Sequence, residues 1–174
     1  MKLYKSFETD RLLLRPTGVQ DAVFVHRLMN SPKWLRFIGD RKVDSPDKAR
    51  QYILEKMLPQ LERLGFSAYT VIRKEDGQPV GSCGLYDREG LEGIDIGFAF
   101  LPEHEGKGYA LEASRRLLQA AGEDFGLDTI LAITDMDNER SQRLLERLGL
   151  QPQGPIHLNE EGTELLMYSI KLTT

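Results

Sequence analysis

Two hydrophobic periods divide the chain into strand-like and helix-like stretches. Residues 67–73 alternate as a half-buried strand does. Residues 79–86 and 94–101 supply the next two strands, and Asp76-Gly77 marks a hairpin turn before them. Residues 129–134 are apolar and β-branched, as in a buried strand. A short apolar strand over 11–15 closes at Pro16, and a last pair, 151–157 and 164–172, flanks a turn at 159–162.

Helical spacing fills the intervals. Thr17 and Gln20 form a capping-box pattern that opens a helix reaching about Asn30. Asp44-Ser45-Pro46-Asp47 opens a second, with Pro just inside and acid in its first turn. Its apolar positions are Ala49, Tyr52, Ile53, Leu61 and Leu64; Pro59 should kink or interrupt it and Gly65 should end it. A third begins near Lys107 with the stripe Ala110, Ser114, Leu117, Leu118 and Ala121. A fourth covers 138–148, turns Leu144, Leu145 and Leu148 inward and stops at Gly149. The order βααβββαβαββ predicts an α/β (α+β) fold with a mixed, mostly antiparallel sheet of about seven strands and helices on both faces. Residues 1–174 read as one domain, since no repeat or linker interrupts them.

Composition narrows the function. The chain is 40% hydrophobic and 29% charged, which suits a soluble globular protein. Neither a bilayer-length apolar run nor a signal-peptide core is expected. Cys83 is the one cysteine, so no intramolecular disulfide forms and a reducing cytoplasm is the expected compartment. Three scattered histidines and no Cys/His cluster predict no metal. A net charge of −4 without a basic cluster argues against nucleic acid and is compatible with a cationic substrate.

The segment Phe98-Ala99-Phe100-Leu101-Pro102-Glu103-His104-Glu105-Gly106-Lys107-Gly108-Tyr109-Ala110 joins a strand to a helix through two glycines. Unpaired N–H groups at a helix start carry partial positive charge, and glycine lets backbone approach an anion. Lys107 adds a formal charge. The spacing fits neither a Walker loop nor a dinucleotide fingerprint; an ordinary strand-to-helix turn is the alternative. After the strand at 129–134, Asn138 offers an amide donor and acceptor, or a helix N-cap. Ser141 lies one turn further, on the face of Leu144, Leu145 and Leu148, as a hydroxyl for a ligand or a small packing residue.

Four landmarks together resemble the GNAT superfamily of N-acetyltransferases, closest to its ribosomal-protein N-terminal acetyltransferase branch. They are Glu8-Thr9-Asp10-Arg11-Leu12-Leu13-Leu14-Arg15-Pro16, Ile96-Gly97-Phe98, Gly106-Lys107-Gly108-Tyr109-Ala110-Leu111-Glu112-Ala113, and Asn138-Glu139-Arg140-Ser141 leading to Leu148-Gly149-Leu150. The resemblance implies acetyl-CoA as co-substrate and an amine acceptor, a protein N-terminus or a small molecule. It implies that Glu105, Gly106, Lys107, Gly108, Tyr109 and Ala110 hold the diphosphate. Phe98, Ala99, Phe100 and Leu101 would pair with the pantetheine arm where this strand splays from the next, with Asn138 and Ser141 beyond it. The amine would attack the thioester directly, a backbone N–H near 98–100 stabilising the oxyanion.

Asp95 is the candidate base by this resemblance, a solvated strand-edge carboxylate being its alternative. Ser141 takes the place of a tyrosine acid, because Leu145 occupies that tyrosine's position. Cys83 reads as core rather than nucleophile. Glu103 and Glu105 depart from the family's usual residues beside the diphosphate, and Leu150 replaces an aromatic. By the same resemblance residues 31–40, with Trp34, Arg36 and Phe37, and the final hairpin would line the acceptor cleft, Trp34 being either a cleft wall or core. A homodimer is compatible by family habit. The competing readings are an acyltransferase using a longer acyl-CoA, a non-catalytic acyl-CoA-binding module and a nucleotide-phosphate binder.

Overall fold

The computed structural model describes residues 3–158 and 162–172. Eight strands form one sheet: β1 (Phe7–Glu8), β2 (Leu12–Pro16), β3 (Ala68–Arg73), β4 (Pro79–Asp87), β5 (Ile94–Phe100), β6 (Thr129–Asp135), β7 (Gln151–Ile156) and β8 (Leu165–Lys171). Their order is β1-β2-β3-β4-β5-β6-β8-β7, antiparallel throughout except where β5 meets β6. The strand beyond the expected seven is β1, a two-residue piece too short to show a period. The turn expected at 159–162 falls largely outside the described residues.

The helices are α1 (Ala22–Met29), α2 (Pro32–Phe37), α3 (Pro46–Tyr52), α4 (Leu58–Leu64), α5 (Tyr109–Glu123) and α6 (Glu139–Arg147). They cover both faces. On one, Ala113, Leu117, Ala120 and Ala121 of α5 and Leu145 of α6 share a buried cluster with Leu12, Leu14, Tyr69, Val71, Cys83, Leu85, Ile96, Ile130 and Ala132. On the other, Phe24, Val25, Leu28, Ala49 and Ile53 enclose Leu101, with Ala99 packed against them. Each Val, Leu, Ile or Phe side chain so removed from water contributes roughly 1.5–3 kcal/mol relative to exposure.

Local chemistry accounts for the element ends. Ser45 caps α3 by accepting from the Lys48 N–H at 3.1 Å. The interruption expected at Pro59 is a π-turn over Ile53–Met57, in which the Leu58 N–H reaches the Ile53 carbonyl. Pro59 has no N–H to continue the ladder, so the slip occurs just before it. Gly65 and Gly149 end α4 and α6 with φ of 87° and 97°. The first helix corrects the expected cap. The Thr17 hydroxyl lies 2.9 Å from that of Thr70 in β3, and Gln20 caps nothing. Asp21 instead accepts from the Gly18 N–H at 3.0 Å, and a 3-10 turn over Val19–Asp21 precedes α1.

Candidate active site

The candidate site is the place where β5 and β6 part. They pair at a single position, Asp95 opposite Leu131. On its other edge β5 stays in register with β4 from Ile94 to Phe100. From Ile96 onward β5 therefore presents an edge with no strand partner on the β6 side, open to an extended ligand. Side chains alternate about this edge: Ile96, Phe98 and Phe100 pack toward α5, while Ala99 and then Leu101 pack toward α1 and α3.

Beyond β5, a 3-10 turn over Pro102–His104 leads to Glu105, Gly106, Lys107 and Gly108. Gly106 and Gly108 have φ of 76° and 82°, where a Cβ is strained. Gly108 is the residue before α5, so the helix starts at Tyr109, two residues later than the sequence suggests. No side chain caps it, and its first intrahelical bond runs from the Glu112 N–H to the Gly108 carbonyl. The N–H groups of the opening turn are left for an anion, which fits the diphosphate of a coenzyme.

A brace that sequence reasoning missed holds this turn from behind. Arg11 donates from Nη1 to the Lys107 carbonyl at 2.9 Å and stacks over the Tyr109 ring at 4.6 Å. Its backbone N–H and the Thr9 hydroxyl both donate to Glu112 Oε2. Burial works against the Glu112 charge, but the bonds from Thr9 and Arg11 outweigh it and hold the carboxyl below the ordinary glutamate range. These residues lie inside the quoted motifs, yet no local pattern says that they meet.

The two acids that depart from the family pattern are ion-paired. Glu103 accepts from Arg27 of α1, and Glu105 from Lys33 of α2 and from Arg140 of α6, the last at 2.9 Å. The Arg140 guanidinium also lies 3.7 Å from where a Cβ on Gly106 would stand.

Asp95 is 1% exposed, so its alternative as a solvated edge carboxylate does not hold. Arg88 grips it in a fork, Nε to Oδ1 at 3.0 Å and Nη2 to Oδ2 at 3.1 Å. Burial pushes its carboxyl above the ordinary aspartate value, and Arg88 opposes that shift without reversing it. Arg88 also sits 5.3 Å over Tyr86, whose ring covers Gly84 and Gly97. Asn138 caps α6, its Oδ1 accepting from the Ser141 N–H at 3.2 Å, which leaves its amide NH2 for a ligand. Ser141 is half-buried. Asp95 alternates with Ile94 and Ile96, which pack toward α5, and so lies on the opposite face of the sheet, whereas Ser141 stands in the first turn of α6. Cys83 is fully buried, 3.6 Å from the Ser114 hydroxyl, and burial pushes its thiol up to about 12, unsuited to nucleophilic attack.

A family model described as an acetyltransferase (GNAT) domain matches residues 11–151. The chain belongs to the GNAT acetyltransferase family. It is 27% identical over 173 residues to an uncharacterized N-acetyltransferase of Bacillus subtilis, YoaA, covering 97% of each chain. It is 28% identical over 149 residues to the uncharacterized N-acetyltransferase p20 of Bacillus licheniformis, covering 84% of this chain and 82% of that one. The crystal structure of an acetyltransferase from Agrobacterium tumefaciens superimposes with a TM-score of 0.81 at 25% identity over 98% of both chains. RimL, a ribosomal L7/L12 α-N-protein acetyltransferase solved in complex with coenzyme A, shares the fold with a TM-score of 0.81 at 16% identity, covering 97% of this chain and 98% of its own. As a GNAT protein the chain is an acyl-CoA-dependent N-acetyltransferase, which sets aside the nucleotide-phosphate and non-catalytic readings. Among the described residues no helix is long and apolar enough to cross a membrane.

Proposed function

We propose that the acceptor is a protein N-terminal α-amine and that residues 1–174 act as one cytoplasmic catalytic unit using acetyl-CoA. The observation that carries this reading is the release of β5 from β6 after one pair, beside a glycine turn with positive φ. An extended arm adds to the free edge over Phe98, Ala99, Phe100 and Leu101. Gly106, Lys107, Gly108, Tyr109 and Ala110 hold the diphosphate, with Glu105 at its rim and the Asn138 amide beyond. When bound, acetyl-CoA supplies an acyl thioester activated toward amines.

The chain's own residues do the rest. Backbone N–H groups near Phe98 to Phe100 stabilise negative charge on the carbonyl oxygen. Asp95, with its carboxyl raised above the usual range, takes the ammonium proton directly or through water. The Ser141 hydroxyl faces the departing sulfur, a modest task because a thiol with pKa about 8.5 leaves readily. An α-amine has a pKa of about 7.7–8.0 and a lysine amine about 10.4, so far more of the former is neutral at pH 7. That difference favours an α-amine where the base is a single paired carboxylate. One relative, the putative ribosomal N-acetyltransferase YdaF of Bacillus subtilis, 28% identical over 96 residues, guides the first acceptors to try.

The test is a thiol-release assay with acetyl-CoA over N-terminal peptides, lysine peptides blocked at the α-amine, polyamines and amino acids, alongside thermal unfolding with acetyl-CoA, coenzyme A or ATP. Stabilisation by the coenzymes and turnover with α-amino peptides are expected. Turnover confined to small-molecule amines would replace the acceptor assignment.

A further inference from the structure

Glu105 stands at the centre of a charge cluster that joins three separate parts of the fold. It occupies the position directly before Gly106, and its Oε2 accepts both from Lys33 Nζ of α2 and from Arg140 Nη1 of α6. The carboxylate is the shielded member at 19% side-chain exposure, whereas Lys33 and Arg140 are 49% and 57% exposed. One carboxylate oxygen thus holds two cations, and the three groups together keep a net positive charge beside the glycine turn. Both cations have long, flexible side chains, and half-exposed pairs of this kind are weak. An anion carrying at least two charges and several oxygens satisfies both cations better than one carboxylate oxygen does. The same anion is repelled by Glu105 while that carboxylate stays in place.

We propose that Glu105 is an internal competitor of the coenzyme's phosphates, and that coenzyme binding transfers Lys33 and Arg140 from Glu105 to those phosphates. This rests on the assignment of the glycine turn to the coenzyme. The exchange breaks and forms ion pairs only, with no proton or covalent change. Lys33 is the second residue of α2, and its neighbour Trp34 packs against the cluster that also takes in Ala99 of β5. The tether of α2 therefore changes when coenzyme arrives, and α2 reports the state of the phosphate site to the face carrying Asp95.

The test is calorimetric titration of coenzyme A into wild type, Glu105→Gln, Lys33→Gln and the double variant at low ionic strength. Glu105→Gln is expected to tighten coenzyme A about fivefold and Lys33→Gln to weaken it about fivefold, the size of an exposed ion pair. In the Lys33→Gln background the gain from Glu105→Gln should shrink to about twofold, because one of the two pairs it released no longer exists. High salt should erase most of both effects. If both single variants weaken binding, Glu105 is a brace that persists in the complex and the exchange is overturned. Opposite signs with full multiplicativity also overturn it, since Glu105 would then repel the coenzyme without yielding Lys33. A wild type that binds no coenzyme A at all would instead remove the assignment on which the exchange rests.

Discussion

Arg11 donates its Nε–H to Glu112 Oε1 at 2.7 Å, a contact made across 101 positions of sequence. It ties the start of β2 to the first turn of α5, and so fixes the glycine turn against the sheet. The carboxyl of Glu112 is held below its ordinary value in the fold, so its stabilisation is present above about pH 4.3 and is lost as pH falls through the lower, folded value. Glu112→Gln is expected to cost about 1–2 kcal/mol at neutral pH. Urea denaturation at several pH values should show the gap from wild type closing below about pH 4. A gap independent of pH would mean that the neutral hydrogen bonds do the bracing.

Gly106 has φ of 76°, and the nearest atom to an added Cβ is Arg140 Nη2 at an ordinary 3.7 Å. The penalty for a side chain is conformational rather than steric, about 1–3 kcal/mol. Gly106→Ala should weaken coenzyme A by about tenfold and lower Tm by several degrees, and Gly106→Asn, which tolerates left-handed backbone, should recover part of both losses. Equal Kd values for Gly106→Ala and wild type, measured by calorimetry, would remove the turn from the site.

Gly84 is a packing position. A Cβ there would stand 2.4 Å from the Tyr86 hydroxyl and 2.9 Å from the Ser67 carbonyl oxygen, and the backbone atom has little room to retreat. Gly84→Ala should destabilise by about 1–3 kcal/mol, as overpacking does. In a Tyr86→Ala background the added cost of Gly84→Ala should shrink only in part, because the Ser67 contact remains. Thermal melts of wild type, both single variants and the double variant separate the contributions.

Asp95→Asn should lower kcat/KM about a hundredfold and leave the coenzyme Kd within about twofold. The acid limb of the wild-type profile, set by a carboxyl raised above about 3.9, should disappear. The substitution also strips Arg88 of its counter-charge, so Tm falls. Asp95→Asn with Arg88→Gln should restore Tm and leave the rate low. A double variant that regains activity along with stability would reduce Asp95 to an architectural role.

What could be read from the sequence was what local chemistry dictates. The glycine turn, the Ser45 cap, the stop at Gly65 and the stripe on α5 each follow from residues within a turn or two of one another. Helix α2 was not read: Ser31-Pro32 repeats the Ser45-Pro46 start signal, but six residues carry too few periods to stand out. What stayed hidden was contact between distant segments. Nothing in the order of residues announces that Glu105 meets both Lys33 and Arg140, or that Arg88 forks onto Asp95. Thr17 shows the converse error: its hydroxyl suited a local cap, and a threonine on β3 took it instead. The parting of β5 from β6 was expected through the family resemblance, because no single strand records the angle to its neighbour.

The sheet order has a consequence for when the cleft comes into being. β6 is joined to β5 by one pair and to β8 by seven, from Thr129 with Lys171 to Asp135 with Leu165. The strand that secures one wall of the cleft is thus β8, made after β7 and last of the eight strands described. A nascent chain emerging at about 5–20 residues per second can assemble β1 to β5 and α5 well before β8 appears. The glycine turn is then present while β6 still lacks the neighbour that sets its course. Competence to bind an extended arm is in this sense a late event, withheld until the ribosome has delivered β8.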